Sequence, residues 1–426
     1  MPETLLITFL GTGRYQPARY RFGTECSETE QFFAVALASR IQPARVVTLE
    51  TRDAREKHGE ALAGRLLNSG AFHTRIDIPE GKSEPELWDI LAVLSACIPP
   101  GSRLHLDITH GFRSLPMVGF IALNYLRVTR QATIGGIHYG AWEAREARDA
   151  DPGVPEVPVF DLTPFLTLLD WTAGADEFLS TGSATRLGEL LRNTHQDLWS
   201  SHDRGSTELL PKALAAVGKS IDAAAQNLIL LRTRHLAESA ASVARQLERA
   251  GEAGEISRHA APFLEVLQPI RQDLLRFAGE DLETLRDLVG WLVRKGRPDA
   301  ALTLANEWLV SWMMVQAGHP EHASDEKSRQ PFERALGLWV DQFTGLGAIR
   351  EPDPGSPELL AGLVENVSAD LMARLGSLAS RIKGARNDLN HAGFRHSPST
   401  GPTIVALASE VASELFLLPL PGPADS

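Results

Sequence analysis

The sequence predicts a doubly wound α/β domain built on a parallel sheet, followed by an all-α C-terminal half, and three observations carry that prediction. Apolar, β-rich runs alternate with segments of helical period as far as about residue 160, which is the pattern of repeated strand–helix–strand units. The stretch "ARDADPGVPEVPVFDLTP" is dense in Pro, Asp and Gly and closes that region. From about 163 to 420 the chain turns Leu- and Ala-rich with helical period and shows no strand alternation.

In chain order the predicted strands are "TLLITFL", "ARVVTLE", "FHTRIDI", "SRLHLDI" and "ATIGGIHY". Each is rich in β-branched or aliphatic residues and ends on a polar or glycine-bearing segment. The intervening helices are expected around 27–41, 54–69, 83–97 and 114–129, where apolar residues recur at helical spacing. A single core seldom supports 426 residues, so several domains are expected. They are drawn as 1–160, an α/β ligand-sensing domain; 161–275, a helical connecting region; and 276–426, a final helical domain.

Composition narrows the function classes. A formal net charge of -12 argues against broad, non-specific nucleic-acid binding and leaves room only for a local basic patch. The two cysteines, Cys26 and Cys97, match neither a disulfide framework nor a zinc site, which fits a reducing cytosol with no metal cofactor. The apolar opening "LLITFL" is too short for a signal peptide, and no uninterrupted apolar run reaches membrane-spanning length, so a cytoplasmic protein without a membrane partner is expected.

In an open parallel sheet, ligands bind beyond the carboxyl ends of the strands, where loops and helix N-termini converge. The polar outliers of the first half stand at those ends: "GTGR" (11–14), Glu50-Thr51-Arg52, "THGFRS" (109–114) and "HYGAW" (138–142). Gly11, Gly13 and Gly111 would let backbone N–H groups approach a phosphate or a base, Arg113 would supply a bidentate guanidinium, and Ser114 is placed to cap the next helix. A dinucleotide oxidoreductase is the obvious rival. Its fingerprint needs a glycine where Gln16 stands, and its ribose-binding acid should lie nearer than Glu50, so a nucleotide-like ligand other than a nicotinamide cofactor is favoured.

In the second half, "SRIKGARNDLNHAGFRHS" (380–397) sets Arg381, Lys383, Arg386 and Arg395 against the single acid Asp388. Arg386 and His391 suit metal-free RNA cleavage: a histidine moves a proton at a ribose 2′-hydroxyl or 5′-oxygen, and an arginine neutralises the phosphorane. Arg52/His58 and Arg103/His110 have similar spacing but lie at strand ends of the α/β half. On a straight helix Arg386 and His391 stand about 140° apart, so convergence on one phosphate calls for a distorted helix end at "HAG" or for a second copy of the chain.

Both sets of residues match known patterns. "LDITHGFRSLP" resembles the D-x-T-H-G signature of a family of CRISPR-associated accessory proteins, "RNDLNHAGF" resembles the R-x4-6-H motif of HEPN ribonucleases, and "FLGTGRY...YRF" is similar to that family's opening. The resemblance covers most of the chain. It implies a Rossmann-like CARF domain that senses cyclic oligoadenylate made by type III CRISPR complexes, joined to a HEPN ribonuclease that cuts single-stranded RNA as a homodimer without metal. Carried over, Asp107, Thr109, His110 and Gly111 belong to the signature, with Gly11, Thr12 and Gly13 as the facing loop and Arg14, Arg113 and Ser114 beside them. Arg386, Asn387 and His391 are then the catalytic set, cyclic tetraadenylate is the favoured ring, and the product ends in a 2′,3′-cyclic phosphate. A second reading stays open: a binding module or ligand-degrading sensor whose helical half only dimerises or contacts a partner.

Overall fold

The structure is a computed structural model that describes residues 2–111, 114–146, 153–190, 209–252, 261–319, 326–343, 355–394 and 396–420. The chain divides into two compact units, Met1–Thr167 and Leu168–Ser426.

The first unit is built on an eight-stranded sheet in the order β3-β2-β8-β7-β6-β1-β4-β5. Its strands are β1 (Thr4–Leu10), β2 (Ala18–Phe22), β3 (Glu25–Glu30), β4 (Arg45–Glu50), β5 (Phe72–Asp77), β6 (Arg103–Asp107), β7 (Thr133–Gly140) and β8 (Glu156–Asp161). The pairs β1–β4, β4–β5, β1–β6, β6–β7 and β2–β8 are parallel, while β7–β8 and β2–β3 are antiparallel. Alternation along β1 explains burial on both faces. Leu5, Ile7 and Phe9 enter one core with residues of α4 (Glu84–Cys97) and α5 (Ser114–Thr129), and Leu6 and Leu10 enter the other with α1 (Phe33–Ile41). Because β4 lies on one side of β1 and β6 on the other, the strand order reverses at β1/β6, and the loops that follow these two strands flank the crevice.

Three strands went unpredicted, each for a physical reason. β3, "ECSETE", is a polar edge strand with no apolar alternation, so the expected helix at 27–41 in fact begins only at Phe33. β2 is a five-residue strand with two arginines. β8 carries Pro158 inside the stretch read as a closing linker; there the Pro158 carbonyl accepts a hydrogen bond from the Ala141 N–H, which keeps it in the sheet although it has no N–H to donate. The expected helix at 54–69 is broken up, with α2 (Arg52–Ala54), a π-helical turn Arg55–Gly59 and α3 (Glu60–Leu66) in succession.

Among the described residues the second unit is all helix, and one hydrophobic cluster joins side chains from Trp171 to Leu418. Its buried indoles are satisfied: Trp308 Nε1 donates to the Leu282 carbonyl at 2.8 Å and Trp312 Nε1 to the Pro419 carbonyl at 3.0 Å. Among the described residues no helix is long and apolar enough to cross a membrane.

A row of polar side chains crosses the centre of the sheet, since Thr48, Thr8, Asp107 and His138 stand in register on adjacent strands. Two residues back along β6, His105 stacks on His138 with ring centroids 5.5 Å apart and a 3.2 Å nitrogen–nitrogen contact. Burial, then the neighbouring His138, push the His105 imidazole down from 6.5 to about 4. Between those values the unfolded chain takes up a proton that the folded chain refuses, so stability falls as pH drops through this window. Calorimetry should therefore show a lower Tm at about pH 5 than at about pH 7, with a smaller drop in His105→Gln. An equal drop in both proteins would refute this role of His105.

Candidate functional site

The loops after β1 and β6 meet at the switch point. Asp107, the last residue of β6, is fully buried. Its Oδ2 accepts the Thr8 hydroxyl at 2.7 Å, and its Oδ1 accepts the Thr109 N–H at 2.8 Å, which turns the chain out of the strand. Thr109 in turn accepts the Gly140 N–H on its Oγ1 at 2.8 Å. One carboxylate thus ties the ends of β1, β6 and β7 together. Gly111 follows at φ +120°, a conformation that side-chain-bearing residues rarely adopt. The facing Gly11 lies so near that a Cβ there would stand 3.4 Å from the Gly111 nitrogen.

These loops border two cavities that share Thr109 and His110. One, of about 220 Å³, is lined by Gly11, Thr12, Gly13, Thr51, His110 and Gly111 among others. The other, of about 200 Å³, is lined by Arg14, Tyr15, His110, Tyr139, Trp142 and Glu143 among others. His110 Nε2 is buried and, among the described residues, has no hydrogen-bond partner. Burial holds the imidazole below the ordinary histidine range against the opposing pull of the Asp107 and Glu143 charges. A neutral ring with an unpaired buried nitrogen is ready to hydrogen-bond a ligand.

The structure brings together Gly11, Thr12, Gly13, Arg14, Thr109, His110 and Gly111 of the expected ligand residues. Asp107 lies beneath the loop and lines neither cavity, so it positions rather than touches. Ser114 is the first residue of α5 rather than a cap ahead of it, and it lines neither cavity. Arg113 lies outside the described residues. The Gly11 N–H is already spent on the Tyr15 hydroxyl at 2.9 Å and is not free for a phosphate.

Two residues of this site were not foreseen as such. His58 Nε2 donates to the Gly13 carbonyl at 2.9 Å from the π-helical turn, and Tyr15 packs edge-on against both His58 and His110. Glu50, read as a polar strand end, is a buried structural acid paired with Arg55 and Arg75.

In the second unit, Arg386, Asn387 and Asp388 lie in the last turns of the helix Ala369–Asn390, and His391 occupies its C-cap, with Ala392 at φ +50° immediately after. The His391 N–H still bonds the Asn387 carbonyl at 3.2 Å, so the chain leaves the helical path only at Ala392, one residue past His391. The basic stretch is less basic in space than in sequence, because acids from distant helices meet it. Arg381 pairs with Glu410 and Glu414, and Lys383 with Asp341 at 2.8 Å. Arg386 is half-buried and makes no ion pair or hydrogen bond among the described residues; Asn387 and His391 are exposed, and Arg395 lies outside the described residues. Among the described residues no group of three or more His, Cys, Asp or Glu is placed to hold a metal ion.

A CRISPR-associated protein of Methanocaldococcus jannaschii is 30% identical to this chain over 125 residues, a match that takes in 28% of this chain and 19% of that protein. No family model matches the chain.

Truncating Asp107 removes the acceptor of two buried donors, the Thr8 hydroxyl and the Thr109 N–H. Asp107→Ala should destabilise the first unit by about 3 kcal/mol, read by urea denaturation. A loss below about 1 kcal/mol would show that the loop does not depend on the carboxylate.

Proposed function

We propose that the chain is a cyclic oligoadenylate-activated, metal-independent endoribonuclease that cuts single-stranded RNA in type III CRISPR antiviral defence, with cyclic tetraadenylate the favoured activator. The observation that carries this reading is the meeting of the Gly11–Gly13 turn and the Thr109–Gly111 loop on one cavity at the switch point, with His110, whose Nε2 has no partner among the described residues, in its lining. The aromatic rings of Tyr15, Tyr139 and Trp142 on the adjoining cavity suit a planar base, and Arg14 suits a phosphate. The likeness to a protein named as CRISPR-associated supports the same biology.

In this reading His391 transfers the proton at the 2′-hydroxyl or 5′-oxygen, Arg386 meets the charge that develops on the phosphorane, and Asn387 helps to position the chain. A guanidinium without an ionic partner costs little to redirect to a phosphate. A homodimer lets a symmetric ring meet the same loop twice and would bring two Arg386/His391 sets to bear. The ring activates only if it binds one arrangement of the dimer more tightly than the other.

The alternative is a sensor that binds or degrades its ligand while the helical half dimerises or contacts a partner. One observation favours it: the helix stays regular through Asn390, so the approach of Arg386 and His391 to one phosphate is not built into a single chain.

Cleavage of a labelled single-stranded RNA, with cyclic tetraadenylate and excess EDTA, decides between the two. The expected result is activator-dependent cutting to a 2′,3′-cyclic phosphate, lowered by about 100-fold or more in Arg386→Ala and His391→Ala. Cutting restored only by added divalent metal, or a full rate without activator, would contradict the proposal.

A further inference from the structure

We infer that Phe394 is a stacking platform for an unpaired base of the RNA, a reading that rests on the ribonuclease function proposed above. Phe394 is 91% exposed, the most exposed large apolar side chain among the described residues. The backbone that carries it is held by the turn. Its N–H donates to the His391 carbonyl at 2.8 Å, and Ala392 and Gly393 before it hold left-handed conformations at φ +50° and +76°. Ala392 takes that conformation at a steric cost that glycine would avoid.

The far side of the loop is pinned as well. The Ser399 N–H donates to Asp388 Oδ2 at 2.7 Å, which returns the chain to the helix that carries Arg386, and Thr400 then caps the helix Gly401–Leu417. The exposed ring stands three residues from His391, the proton-transferring group of the proposed function.

Charge selects the occupant. The chain is acidic overall, at -12, yet the segment 386–397 carries Arg386, Arg395, His391 and His396 against Asp388 alone, and that carboxylate is buried and engaged with Ser399. A projecting aromatic ring in a stretch of sequence rich in arginine and histidine fits a flexible polyanion with planar faces, which is single-stranded nucleic acid. An apolar protein partner would be served by a patch rather than by one ring.

The test is equilibrium binding of a fluorescein-labelled single-stranded RNA, read by anisotropy, to the full chain carrying His391→Ala so that nothing is cut. Adding Phe394→Ala or Phe394→Leu should weaken binding about 10-fold, as loss of one base–aromatic stack does, whereas Phe394→Trp should retain it. An abasic RNA of the same length should bind the Phe394 and Phe394→Ala proteins equally. Equal affinity of base-bearing RNA for these two proteins would overturn the platform and leave the ribonuclease reading standing. Absence of RNA binding by every one of these proteins would overturn that reading, and the platform with it.

Discussion

The buried carboxylate of Asp107 is the interaction on which the first unit's candidate site depends. A charged group with no exposure is costly unless its oxygens are fully engaged. Here the hydroxyl of Thr8 and the N–H of Thr109 engage them, one from the neighbouring strand and one from the loop itself. That second bond bends the chain out of β6, and the Thr109 hydroxyl passes the constraint on to Gly140 at the end of β7. His110 is carried as a consequence into the lining of both cavities, with an Nε2 that has no partner among the described residues.

The second unit solves a different problem. A helix end exposes carbonyl groups and lets the chain turn sharply; here the turn comes at Ala392, just past His391, and Phe394 projects into solvent. The ion pairs of Arg381 and Lys383 anchor this helix to its neighbours and leave Arg386 unengaged among the described residues. Paired cations and a cation without a partner among the described residues are thereby sorted along a single turn and a half of helix.

Much of the fold was legible in the sequence because the central strands are apolar runs with abrupt polar ends. β1, β4 and β6 could be read directly, and the α5 range was predicted to the residue. The flanking strands were hidden: β3 has no buried alternation to reveal it, and Pro158 masks β8. The candidate site was legible where its residues are contiguous, as at 11–14 and 107–111. It was opaque where contact is made at long range. Nothing in the local spacing announces that His58 reaches the Gly13 carbonyl 45 residues away, nor that Glu410, Glu414 and Asp341 neutralise two of the four cations near the C-terminus. The loss of Gly11 as a free donor is likewise a matter of where the Tyr15 hydroxyl falls.

The central claim is that the loop shaped by Asp107 binds a cyclic oligoadenylate independently of the helix end that would cut RNA. Calorimetric titration of the full chain with cyclic tetraadenylate tests it most directly. The account predicts one ring bound per two chains, the same stoichiometry and affinity in Arg386→Ala, and loss of the binding heat in His110→Ala. No binding to the unaltered chain, or binding by His110→Ala as tight as by the unaltered chain, would contradict it.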